Sequence, residues 1–208
     1  HRDLHSFPTR RSSDLIDYFN DNEELLSKLQ MGAAGYDIIV PSGYMVEIMI
    51  KERLLAEINF DNIPNITHID LRFRSLDFDP GGKYSVPYAY GFTGIAYNSN
   101  AVNETVDSLR ILWDPKYKGK TLMTDDMREV FNYGYGILGY SLADQNPRHL
   151  KEAFDVLLKQ KPLLKKYDSN MAMTYLLSGE VSLAQTWSGA AYRFAQDTPE
   201  IKFAVPKQ

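Results

Sequence analysis

Three times this chain runs from a short apolar segment, through a polar or aromatic turn, into residues with helical spacing. Tyr36–Val40 (YDIIV) leads through Pro41-Ser42-Gly43 to Tyr44. Leu122-Met123 leads through Thr124-Asp125-Asp126 into MREVF. Val181–Gln185 leads into Trp187-Ser188-Gly189. Apolar runs of that length read as strands, and strands that alternate with helices through short connections make an α/β fold. In open α/β sheets, ligands bind outside the carboxyl ends of the strands, where helices begin. The three turns are therefore where function is expected.

The middle turn carries the most charge. Asp126 and Glu129 are three residues apart, so they share one face of the first helical turn. The helix dipole favours their ionised forms, and two anions suit a cationic ligand. The same Asp-x-x-Glu also reads as a capping box, with Asp126 as N-cap and Glu129 at the third helical position. Metal binding by Asp125, Asp126 and Glu129 is a third reading. These ten residues leave all three open.

The remaining segments fill in the alternation. Ile16–Phe19 reads as a strand end, and Asp21-Asn22-Glu23-Glu24 as an acidic helix start followed by a stripe of Leu25, Leu26 and Leu29. A helix is expected over Tyr44–Leu55 and a short one around Thr67–Leu71. Asp79-Pro80-Gly81-Gly82 is a turn signal. Ser85–Tyr90 and Gly94–Asn98 read as extended, with aromatics crowded over Tyr84–Tyr97. After Asn146-Pro147 a helix is expected to about Lys159, with Leu150, Phe154, Leu157 and Leu158 inward. Ala172–Leu177 and Ala190–Ala195 read as helices, and Lys202–Val205 as a last strand.

Composition removes several classes. The 208 residues are 44% hydrophobic, enough for one large or two small domains with proper cores. A net charge of −4 with no basic stripe argues against nucleic acid. With no cysteine, thiolate metal sites and cysteine nucleophiles are excluded. No stretch approaches the roughly 20 apolar residues of a membrane span. A hydrolase built on the Asp126/Glu129 pair is the rival from another class, but G-x-S-x-G and H-E-x-x-H motifs are absent. His68 and His149 sit in polar surroundings and read as surface residues. If the three turns converge, anions, hydroxyls and an aromatic wall come together, which suits an organic ammonium ion. A carboxylate–ammonium pair is worth about 4 kcal/mol at 4 Å and an effective dielectric near 20.

The segments YDIIVPSGYMV, VPYAYGFTGIAYN, LWDPKYKGK, LMTDDMREVF, LGYS and SGEVSLAQTWSGAA occur in this order. In that order they resemble the spermidine/putrescine-binding proteins of polyamine ABC transporters. The resemblance runs from about Ile16 to Lys207. It implies a two-lobed type II periplasmic-binding-protein fold, incomplete at both ends. Residues 16–98 would be part of lobe one, 99–203 lobe two, and 204–208 the start of a return to lobe one. Hinge strands are expected near Gly94–Asn98 and Lys202–Pro206, and the lobes would close on ligand by hinge motion. His5–Leu15 resembles a translated sequencing adapter, so the first 15 residues are left out of the fold.

By the same resemblance, Asp126 and Glu129 match carboxylates that hold amines. Ser42 and Tyr44 match a serine and tyrosine of lobe one, Ser169 a hydroxyl contact, and Trp187 an aromatic wall. Tyr90 stands where many relatives carry tryptophan, and Gly43 where a bulkier residue is common. The implied protein is an extracytoplasmic monomer, periplasmic or lipid-anchored, that needs no cofactor or metal. Its partners are a polyamine and a membrane permease. The chain has no G-x-x-x-x-G-K-[ST] loop, so ATP hydrolysis would belong to another subunit. A solute-binding protein for another small ligand is the nearer rival.

Overall fold

A computed structural model describes residues 15–19, 21–32 and 35–207. The adapter-like segment lies outside these, apart from Leu15. The chain divides into two compact units, with the boundary between Ala89 and Tyr90.

The first unit contains helices α1 (Asn22–Gln30) and α2 (Gly43–Lys51). Asp21 starts α1 by accepting from the Glu24 N–H at 2.7 Å. Leu25 of α1 packs on Met45 and Met49 of α2. Helix α2 is shorter than its apolar spacing suggests. Arg53 takes a left-handed backbone (φ 58°), which ends the helix and turns Leu54 and Leu55 back onto the core. Two short 3-10 helices, Pro64–His68 and Leu71–Phe73, replace the helix expected around Thr67–Leu71. The Asp79-Pro80-Gly81-Gly82 turn is organised by a buried Asp79. Its carboxylate accepts from the Lys83 and Tyr84 N–H groups and the Ser85 hydroxyl.

Ile16–Phe19, Tyr36–Val40 and Ser85–Tyr90, expected to be strands, are not strands here. A strand exists only through the ladder to its neighbour, and none of the described residues supplies one. Ile38 is accordingly 84% exposed.

The second unit is built on a five-stranded sheet of β1 (Thr93–Asn98), β2 (Thr121–Met123), β3 (Leu164–Tyr167), β4 (Leu183–Trp187) and β5 (Ile201–Ala204). The spatial order is β3-β2-β4-β1-β5. Strand β2 runs parallel to β3 and β4, while β1 is antiparallel to β4 and β5. Successive side chains of a strand face opposite ways, and the two cores follow that alternation. Ile95, Met123 and Leu183 enter one core; Ala96, Leu122 and Ala184 enter the other. Helices α3 (Met127–Leu138) and α4 (Pro147–Gln160) cover the first, and α5 (Ala172–Leu177) and α6 (Ser188–Ala195) the second.

Strand β3 has no counterpart in the sequence reading. It is an edge strand whose Lys165 and Lys166 pair with Glu180 and Asp168, both at 2.8 Å. Lysines on an edge blunt its tendency to pair with another chain, and they also mask its apolar alternation. The inward face of α4 also differs from the reading. Ala153, Leu157 and Gln160 are buried, whereas Leu150, Phe154 and Leu158 are about half exposed. The small Ala153 faces inward because α3 comes close at Gly134. A Cβ there would stand 3.1 Å from Leu157 Cδ1 and 3.2 Å from the Ala153 carbonyl oxygen. Glycine to alanine in a helix ordinarily gains about 1 kcal/mol. Gly134→Ala is expected to lose that gain to crowding and to leave the melting temperature unchanged or slightly lower. A rise of several degrees in a thermal melt would show that the two helices separate freely.

Candidate functional site

The carboxyl ends of β2, β3 and β4 lie along one edge of the second unit's sheet, because the three strands are parallel. The antiparallel β1 starts at the same edge, where Thr93 is paired with Trp187. Four of the residues singled out in the sequence thus reach one edge: Asp126 and Glu129 after β2, Ser169 after β3, and Trp187 at the end of β4.

Asp126 is the N-cap of α3, and its Oδ1 accepts from the Glu129 N–H at 3.0 Å. The capping reading is correct for this half of the motif. A full box would bring the Glu129 carboxylate back to the cap. Instead it lies partly buried, near the side chains of Thr93 and Trp187. Burial pushes its pKa above the ordinary glutamate value, and the nearby Asp126 charge adds to the rise. The neighbouring Thr93 and Trp187 side chains pull the other way. The helix dipole favours a lowered pKa at this position; desolvation shifts it the other way. Tyr133, one turn further along α3, is buried, and that desolvation, with the Glu129 charge adding to it, holds its phenol well above the usual range. Its hydroxyl has no hydrogen-bond partner among the described residues.

Ser169 does not cap the helix after it. Asp168 accepts from the Asn170 and Met171 N–H groups in the turn before α5, which has no side-chain cap. Ser169 is tied to Asp125 instead. Its hydroxyl donates to Asp125 Oδ1 and accepts from the Asp125 N–H at 3.2 Å, and its own N–H donates to the same carboxylate at 3.1 Å. A serine oxygen has two lone pairs, so one remains to accept a further hydrogen bond. With Asp125 occupied in this way, the metal reading loses a ligand. Among the described residues no group of three His, Asp or Glu is placed to hold a metal ion.

Trp187 is 37% exposed and so is not a core tryptophan. Next to it, Phe92 and Ser188 exchange two hydrogen bonds that extend the β1–β4 pairing. The exposed Phe92 ring meets the exposed Tyr90 ring edge-on at 5.3 Å. Part of the Tyr84–Tyr97 aromatic cluster therefore faces solvent at the carboxylate edge, while Tyr97 packs against the core.

In the first unit, Ser42 and Tyr44 come together through a residue the sequence did not single out. Asn22 is 7% exposed. Its amide donates to the Ser42 hydroxyl (3.2 Å) and the Tyr44 hydroxyl (3.1 Å), and its carbonyl accepts from the Ser42 N–H (3.0 Å). The Tyr44 hydroxyl in turn donates to Glu23 at 3.3 Å. Asn22 sits at the first position of an acidic helix, where an asparagine reads as capping chemistry.

The sequence profile of bacterial extracellular solute-binding proteins matches residues 16–208. The chain belongs to that family. Within it, the chain is 35% identical over 192 residues to the spermidine/putrescine-binding periplasmic protein of Salmonella typhimurium, covering 91% of this chain and 55% of that protein. Two solved structures superpose on it at 34% identity and cover 90% of it. One is the spermidine/putrescine ABC transporter substrate-binding protein of Streptococcus pneumoniae (TM-score 0.74, 58% of that chain). The other is the Tp0655 lipoprotein of Treponema pallidum (TM-score 0.82, 60% of that chain). These family members bear out the two-lobe fold class that the resemblance implied. The chain spans a little over half the length of the relatives it matches.

Proposed function

We propose that this chain is the ligand-capturing part of an extracytoplasmic solute-binding protein that takes up spermidine or putrescine and delivers it to an ABC permease. The observation that carries the reading is the Glu129 carboxylate, which does not turn back to the cap and lies partly buried near Trp187 and Thr93. Among the described residues no cation pairs with it; a partly buried carboxylate left so costs stability, and an ammonium group would remove that cost. Asp126 is proposed to hold a second ammonium charge and Ser169 to accept a hydrogen bond. Trp187, with Phe92 and Tyr90, would cover the methylenes, and a ring face turned to an ammonium group would add roughly 0.5–2 kcal/mol of cation–π attraction. Ser42 and Tyr44 are proposed as the first unit's ligand residues, held ready by Asn22. The relatives named for spermidine and putrescine support the ligand class. A binder rather than an enzyme is inferred, because ammonium recognition accounts for both carboxylates without a reaction. The periplasmic and lipoprotein relatives support a place outside the cytoplasmic membrane.

The test is a tryptophan-fluorescence titration with spermidine and putrescine, using the chain completed to its relatives' length. Of the two tryptophans in these 208 residues, Trp113 is fixed by a hydrogen bond to the Val156 carbonyl, so their share of the response is expected from Trp187 and is removed in Trp187→Phe. Saturable micromolar or tighter binding is expected. A folded protein that responds to neither amine would refute the assignment.

A further inference from the structure

Gln185 is fully buried in the middle of β4 and makes three hydrogen bonds. Its carbonyl oxygen accepts from the Thr124 N–H at 3.2 Å and the Thr124 hydroxyl at 3.0 Å. Its amide donates to the Glu129 backbone carbonyl at 2.9 Å. Thr124 is the first residue after β2, and Glu129 is in the first turn of α3. Trp187 is two residues along β4 from Gln185, so the two side chains leave the same face of the sheet.

We propose that Gln185 is a positioning residue for amine capture, strapping the carboxylate-bearing turn of β2–α3 to the strand that carries Trp187. The proposal rests on the amine reading above. The geometry supports it in three ways. The carboxamide bonds both ends of the Thr124–Glu129 turn, so the turn cannot shift along the sheet without breaking a bond. The bonds are made in a dry interior, where a fully satisfied polar network fixes one arrangement more sharply than apolar packing does. And the strap ends on Glu129, whose carboxylate must stay within reach of the Trp187 and Thr93 side chains. Polar side chains are rarely buried unless bonded. A residue needed only for bulk at this position would be apolar, like its neighbours Leu183 and Ala184.

The experiment is a double-mutant cycle of Gln185→Met and Glu129→Gln in the chain completed to its relatives' length. Spermidine affinity is read by calorimetry, and the Glu129 carboxyl titration by carbon NMR in the unliganded protein. Methionine fills the space without the bonds. If Gln185 acts through Glu129, Gln185→Met costs roughly tenfold in affinity alone and less than about twofold in the Glu129→Gln background. The Glu129 titration also moves toward the ordinary glutamate range as its burial relaxes. Equal losses in both backgrounds, or an unmoved titration, would reduce Gln185 to a packing residue. Thr124→Val is the gentler second variant, since it removes only the hydroxyl bond. A loss of roughly twofold to fivefold with the same dependence on Glu129 is expected, and full wild-type affinity would overturn the proposal. Failure of the wild type to bind any polyamine would instead sink the functional reading, while the Glu129 titration would still decide whether the strap holds that carboxylate.

Discussion

Asp126→Asn is expected to weaken spermidine binding about ten- to hundredfold and to leave the melting temperature within a few degrees of wild type. The two effects separate because asparagine caps helices about as well as aspartate. Its side-chain oxygen can still accept from the Glu129 N–H, the bond that Asp126 Oδ1 makes at 3.0 Å. What is lost is a negative charge at the start of α3. Its interaction with the helix dipole is worth about 0.3–1 kcal/mol, which sets the small stability cost. Its interaction with an ammonium ion is several times larger at an effective dielectric near 20. Asp126 is only half buried, so solvent screens part of that attraction, and each 1.4 kcal/mol that survives is a factor of ten. Calorimetric titration and a thermal melt of the same variant measure both quantities. Unchanged affinity with a folded protein would leave Asp126 as a cap and nothing more.

The edge that carries these residues was legible because its signals are local. Short apolar runs that end in polar turns and enter helices gave β2–α3 and β4–α6, and the Asp-x-x-Glu spacing gave the N-cap. Sequence proximity alone brings Asp126 to Glu129, and the parallel strands bring Ser169 and Trp187 to the same edge. What escaped was non-local. Whether an apolar run becomes a strand depends on a partner, so Tyr36–Val40 read as a strand and is not one. The lysines of β3 hid a real strand at the sheet's edge. Gln185 and Asn22 bond to residues far away in sequence, and a carboxamide's role is set by what it reaches rather than by its neighbours. One signal was available for Gln185: a polar residue at the end of the apolar run Val181–Gln185 has to be satisfied if it is buried. For Asn22, at the head of an acidic helix, capping absorbed the signal.

Glu129→Gln is expected to do two opposite things: to lower amine affinity by tenfold or more and to make the unliganded protein more stable at neutral pH. Burial raises the folded-state pKa of Glu129 above its ordinary value. Between those two values the folded form holds more protons than the unfolded chain. Stability therefore falls as pH climbs through that window, and the penalty is complete once pH has passed the raised folded-state value. Glutamine carries no such penalty and keeps nearly the same shape. Thermal melts should thus show the variant above wild type by a few degrees at pH 7. The two curves should converge below about pH 4.5, the unshifted glutamate value. Saturating spermidine should reverse the order at pH 7, because an ammonium partner favours the ionised carboxylate. Binding to wild type should correspondingly weaken as pH falls through the raised pKa, starting at a higher pH than an exposed glutamate would produce. A variant no more stable than wild type at pH 7 would mean that the protein already neutralises Glu129 on its own. The buried carboxylate would then no longer argue for a cation. A more stable variant that cannot hold amine would show that this edge gives up folding free energy for capture, as functional sites commonly do.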